Sequence, residues 1–168
     1  MTPPPDPGSE HRTAPLATEH RTAPPGPAGA QGSLAERIAV LFDSGGSDLM
    51  REMGLRIAHA EPGFVRFALP VVERLVHGGG VLCGQAIMAC MDTGMVFVMM
   101  SLNDASSPAF TTVELKTTFE RSVPADVGEV TFEARATKPG RTLVFGQVDL
   151  LLPDGKRAAG ATTTYMWL

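Results

Sequence analysis

Asp92 is the single ionisable carboxylate between Gly80 and Met100, and Gln85 and Thr93 are the only other strongly polar side chains in that apolar run. A carboxylate taken out of water must be paired, hydrogen-bonded or neutralised by a raised pKa. Two readings follow from the residue itself. Asp92 surfaces at a helix edge or bonds a loop amide, or it is a general base or nucleophile tuned by partial burial. Three other reactive side chains lie close in sequence: His77, in a Gly-rich stretch, and Cys83 and Cys90. Cys83 at a helix N-terminus would have a lowered pKa, but no His/Asn partner pattern supports it as a nucleophile. The spacings of six and seven residues from His77 to Cys83 to Cys90 match no common zinc pattern, so no metal is expected.

The element that must position Asp92 is the apolar segment Val81–Met100. Its length approaches that of a membrane span. An acid at its centre, no second span and a strand-rich remainder oppose that reading, and predict a buried helix. Ahead of it, Ser33 reads as an N-cap, and Glu36 completes a capping box for a helix that Gly45-Gly46 ends or kinks. Leu55–His59 and Phe64–Leu69 read as a hairpin around Glu61-Pro62-Gly63. Four strand-like runs follow the apolar segment: Phe110–Phe119, Glu129–Thr137, Thr142–Leu152 and Arg157–Trp167. Val130, Phe132, Ala134 and Ala136 alternate with Thr131, Glu133 and Arg135, as a sheet with one covered face requires. The expectation is α+β, a meander of strands wrapped around one helix.

The chain has 168 residues, 43% hydrophobic and 19% charged, with a net charge of -4. That suits one core-bearing domain, expected over residues 33–168. No basic patch argues for nucleic acid. Residues 1–32 are rich in Pro, Ala and Gly, and repeat EHRTAP at Glu10–Pro15 and Glu19–Pro24. A disordered tail is expected there. The N-terminus shows no secretory pattern. Two helical turns would hold Cys83 and Cys90 roughly 10 Å apart, too far for a disulfide. Cytoplasmic localisation is therefore expected.

Three stretches, HGGGVLCGQAIMACMDTGM, FTTVELKTTFERSVPADVGEVTFEARATKPGRTL and DGKRAAGATTTY, together resemble the PaaI-like hotdog thioesterases. The resemblance runs from about Leu55 to the C-terminus. It implies a hotdog fold, a curved antiparallel sheet around one long central helix, and hydrolysis of an acyl-CoA thioester to free acid and CoA. The family pattern places His-Gly-Gly at the helix start, with an acid nine residues after the histidine. Here Asp92 lies fifteen residues after the literal His77-Gly78-Gly79, and counting back nine reaches Cys83. We place Cys83-Gly84-Gln85 in the motif slot, because helix geometry fixes the Gly-to-acid distance whereas the preceding loop can vary.

In that register the resemblance assigns roles. The Gly84 amide, aided by the helix dipole, would stabilise the developing oxyanion. Asp92 of a neighbouring subunit would activate water or attack the carbonyl. Thr112 would hold that water or the carboxylate, and His77 would orient the carbonyl or the water. Substrate contacts are expected at Cys83, Gln85, Thr111 and Met88. The last belongs to a methionine set with Met91, Met95, Met99 and Met100 that either packs the core or lines an acyl tunnel. Lys138 and Arg141 are solvated turn residues, or lie near the CoA phosphates. No cofactor is expected beyond the coenzyme A of the substrate, and the assembly implied is a homodimer, paired into a homotetramer. Two alternatives remain open: a non-catalytic acyl-CoA-binding hotdog protein, and a dehydratase or hydratase, whose usual His–acid dyad Cys83 would disrupt.

Overall fold

A computed structural model describes residues 32–105 and 109–168, and the Pro/Ala/Gly-rich segment read as a disordered tail lies outside them apart from Gly32. The fold is α+β. Helix α1 (Leu34–Gly45) starts at the capping box foreseen: Ser33 Oγ accepts from the Glu36 amide, and the Glu36 carboxylate accepts from the Ser33 amide. A short α2 (Asp48–Glu52), capped by Ser47, follows. The strands are β1 (Arg56–Glu61), β2 (Phe64–Pro70), the short β3 (Val76–His77) and β4 (Val81–Leu82), and β5 (Phe110–Phe119), β6 (Glu129–Pro139), β7 (Leu143–Leu151) and β8 (Arg157–Trp167). The central helix α3 spans Gly84–Leu102.

Six strands form one antiparallel sheet in the order β1-β2-β6-β7-β8-β5, and β3 pairs with β4 apart from it. This corrects one expectation. The last four strands are not a simple meander, since β5 pairs with β8 at the far edge rather than with β6. The reason lies in the β5–β6 link, which crosses beside the start of α3 instead of turning back. The Leu82 amide donates to Val123 O, the Ala125 amide to Gly80 O, and the Val71 amide to Gly128 O. The β3–β4 hairpin and α2 were not foreseen, being too short to show a period.

Helix α3 lies on the inner face of the sheet. Phe67 stacks on Phe132 at 5.0 Å, and Phe97 meets Phe67 edge-on at 5.3 Å and Phe42 at 4.9 Å. Met91, Met95 and Met99 are fully buried, each contributing about 1.5–3 kcal/mol of transfer free energy. Two glycines set how closely the helix approaches. A Cβ on Gly94 would sit 2.9 Å from the Phe67 ring and 3.2 Å from Ala134 Cβ. A Cβ on Gly146 would overlap the Met95 sulfur. The helix that by length and hydropathy could cross a membrane is thus the core helix of the sheet.

Candidate active site

Cys83 is the N-cap of α3 and Gly84 its first residue, the start predicted by counting back from Asp92. The Cys83 side chain makes no capping hydrogen bond, so it satisfies none of the first-turn amides. Gly84 lies beneath the edge of the Phe119 ring, whose nearest carbon is 3.5 Å from where a Cβ would stand. Phe119 itself is half exposed.

Asp92 sits two turns into the same helix and is half-buried. It neither surfaces freely nor bonds a loop amide. The Thr112 hydroxyl of β5 donates to its Oδ1 at 2.9 Å, and the Tyr165 phenol of β8 donates to the same oxygen at 2.5 Å. The phenol oxygen is also 2.9 Å from the Asp92 carbonyl. Thr112 and Tyr165 are directly paired across β5 and β8, which is why both reach one carboxylate. Burial first, and then the bond to Asp92, hold the Tyr165 phenol well above its ordinary pKa. It therefore remains a proton donor across the working range. Oδ2 takes no described hydrogen bond and is not among the buried unpaired atoms, so it is open to solvent.

Tyr165 was missed by the sequence reading, although a signal existed. It is the chain's one tyrosine. It follows Ala159, Ala161 and Thr163 on the face of β8 that the helix covers, a row of small residues ended by one large hydroxyl-bearing ring. Such a hydroxyl, once buried, demands a partner.

The remaining residues are more scattered. His77 is exposed on the β3–β4 hairpin, its Nδ1 accepting from the Gly79 amide at 2.9 Å. The Gly78–Gly80 run serves that turn: Gly80 has φ +74°, and a Cβ on Gly79 would strike the His77 ring. Among the described residues His77 makes no hydrogen bond to Asp92. Gln85 and Met88 are exposed on α3, two turns and one turn before Asp92 respectively, and Thr111 is exposed on β5. The methionines divide: Met88 is 44% exposed, whereas Met91, Met95 and Met99 are core. Lys138 and Arg141 are exposed about the β6–β7 turn. That turn lies toward the C-terminal end of α3, since Gly63 approaches both Ala136 and Leu102. Cys83 and Cys90 are both free thiols.

Residues 79–159 match the model of the thioesterase superfamily. A protein of Saccharolobus solfataricus whose name proposes an esterase is 27% identical over 113 residues, 67% of this chain and 78% of that protein. A thioesterase family protein from Silicibacter pomeroyi superposes with a TM-score of 0.67 at 26% identity, over 81% of this chain and 98% of its own. The PaaI protein of the E. coli phenylacetic acid degradation operon has the same fold, with a TM-score of 0.69 at 16% identity over 81% and 96% of the two chains. The matched segment holds β4, α3 and most of the sheet, including Gly84, Asp92 and Thr112. Over residues 79–159 the chain is similar to the thioesterase superfamily, and as a whole it has the hotdog fold of these proteins.

Proposed function

We propose that the protein hydrolyses acyl-CoA thioesters to the free acid and CoA, with Asp92 as the catalytic carboxylate. The observation that carries this reading is the state of Asp92: Oδ1 is held by two hydroxyl donors while Oδ2 stays open. Oδ2 takes a proton from the attacking water, or attacks the carbonyl itself. In the first route the water oxygen bonds the thioester carbon, the C–S bond breaks, and the CoA thiolate leaves and is protonated. The Gly84 amide, at the positive end of α3, meets the oxyanion. His77 turns toward the carbonyl or the water, and Cys83, Gln85, Thr111 and Met88 border the acyl group. Lys138 and Arg141 take the nucleotide phosphates. Coenzyme A enters as part of the substrate, and this chemistry calls for no further cofactor.

Gly84 and Asp92 are eight residues apart on one helix, about 12 Å along its axis. One thioester carbonyl cannot meet both, since each contact spans only about 3 Å. The site is therefore completed by a second copy that offers Gly84 to the first copy's Asp92. Strand β5 supports this. It is ten residues long, pairs on one side only among the described residues, and leaves Val113 and Phe119 exposed. Such an edge invites strand pairing, here with β5 of the second copy. A dimer of such dimers is the assembly we propose, in a reducing cytoplasm where Cys83 and Cys90 stay free.

The test is hydrolysis of a panel of aliphatic and aromatic acyl-CoAs by the wild type and Asp92→Asn, followed by loss of thioester absorbance. Turnover that falls at least a hundredfold in Asp92→Asn supports the reading, and full activity in that variant refutes it. Tight binding of the esters with no turnover by the wild type would make the protein an acyl-CoA-binding module instead.

A further inference from the structure

We infer that Tyr165 is a positioning residue that decides which oxygen of Asp92 reacts: with Thr112 it holds Oδ1 and leaves Oδ2 to the thioester. The inference rests on Asp92 being the catalytic carboxylate. Left to itself, an aspartate carboxyl rotates about a broad, two-fold torsion that exchanges its oxygens. Two donors on Oδ1, at 2.9 and 2.5 Å, remove that freedom and fix the direction of Oδ2.

The placement of Tyr165 argues for the hydroxyl rather than the ring. The ring is 1% exposed and packs at 6.1 Å from Phe110. Phenylalanine would fill that space without a buried polar atom. The hydroxyl costs desolvation, and what it gains is one carboxylate oxygen. Its single hydrogen has two acceptors within reach, Oδ1 at 2.5 Å and the Asp92 carbonyl at 2.9 Å. While Asp92 is ionised the hydrogen lies toward Oδ1. Once Oδ2 has taken a proton, the hydrogen can turn to the carbonyl. Both protonation states of the catalytic carboxylate are thereby accommodated without a movement of the chain.

The other ionisable groups on the elements around α3 are engaged elsewhere or face away. Arg66, Glu133, Arg135, Asp149 and Arg157 pair with one another across β2, β6, β7 and β8. Arg37 of α1 is tied to Asp104. On β5, Lys116 lines a cleft of about 290 Å³ with Arg157 and Gln147, and Glu114 is on the same face by alternation. Cys90, on α3 itself, is fully buried, and burial pushes its thiol up.

The experiment measures kcat and KM at one pH for the wild type, Tyr165→Phe, Thr112→Val and Asp92→Asn, with hexanoyl-CoA and benzoyl-CoA as probes and thioester absorbance as the signal. Tyr165→Phe leaves the carboxylate free to rotate, so kcat falls about tenfold with KM changed less than about twofold. Thr112→Val splits kcat from KM the same way, which serves as the second reading should Tyr165→Phe fold poorly. A purely structural role would lower Tm and leave kcat per folded enzyme in place. An unchanged kcat in both variants, with Asp92→Asn inactive, overturns this inference alone. An active Asp92→Asn overturns the reading of Asp92, and this inference with it.

Discussion

Gly84 and Asp92 share one helix, eight residues and about 12 Å apart, one at its N-terminus and the other at its middle. The helix is rigid, so no rearrangement within the chain can bring the Gly84 amide to a carbonyl that Asp92 also reaches.

A complementation experiment follows. Gly84 is the first helical residue, where proline is tolerated, and Cys83 before it has the extended backbone that proline requires, with φ −70° and ψ 143°. Gly84→Pro therefore removes the amide donor while sparing the helix, and is expected to lower kcat about a hundredfold. Asp92→Asn is likewise expected to be inactive. Mixed and re-equilibrated, the two give hybrid dimers in which one site receives an intact Gly84 and an intact Asp92. Recovery of about a quarter of wild-type activity is expected by random pairing. Recovery no greater than the sum of the separate variants would show that each chain works alone.

Gly94 is where the helix touches the sheet most closely. Alanine there would gain about 1 kcal/mol in helix propensity. Its Cβ would stand 2.9 Å from Phe67 and 3.2 Å from Ala134, both buried. Overpacking of this kind costs about 1–3 kcal/mol. Thermal unfolding of Gly94→Ala should show a net loss of about 1 kcal/mol, and a rise in Tm would mean that the helix rides higher on the sheet than described.

Acid sensitivity should trace in part to Asp104. Its carboxylate is held below the ordinary value of 3.8, first by the hydrogen bond from Arg37 and then by that cation's charge. A depressed folded-state pKa gives stability that is present above the unfolded value and is lost as pH falls through the folded one. Asp104 adopts φ 50°, which asparagine also tolerates. Asp104→Asn should thus lower Tm slightly at pH 7, less so in high salt. The gap from wild type should close below about pH 3.8. A gap that persists at pH 2 would assign the effect to something other than this ion pair.

Cys90 is fully buried and its thiol is pushed up, by burial first and by Cys83 second. It should resist iodoacetamide at pH 8 in the folded protein and react once urea unfolds it, as peptide mass spectrometry would show. Labelling of native Cys90 at the rate of a free thiol would mean that α3 leaves the sheet far more often than its packing implies.

Much of this protein was readable from the chain alone, because the signals were local and periodic. The capping box at Ser33 and Glu36, the alternation of Val130, Phe132 and Ala134, and the apolar run around Asp92 each span a few residues. They determined the elements, the central helix and the suspicion that fell on its one acid. Tertiary structure decided the rest. Which methionines are core and which is exposed, the position of β5 beside β8, and the pairing of Tyr165 with Asp92 across 73 residues all depend on strand order. Strand order is set where the β5–β6 link is pinned beside α3, and such a link leaves no period in the sequence. The acid was visible as a residue, but only the sheet determined which of its oxygens is held and which is free.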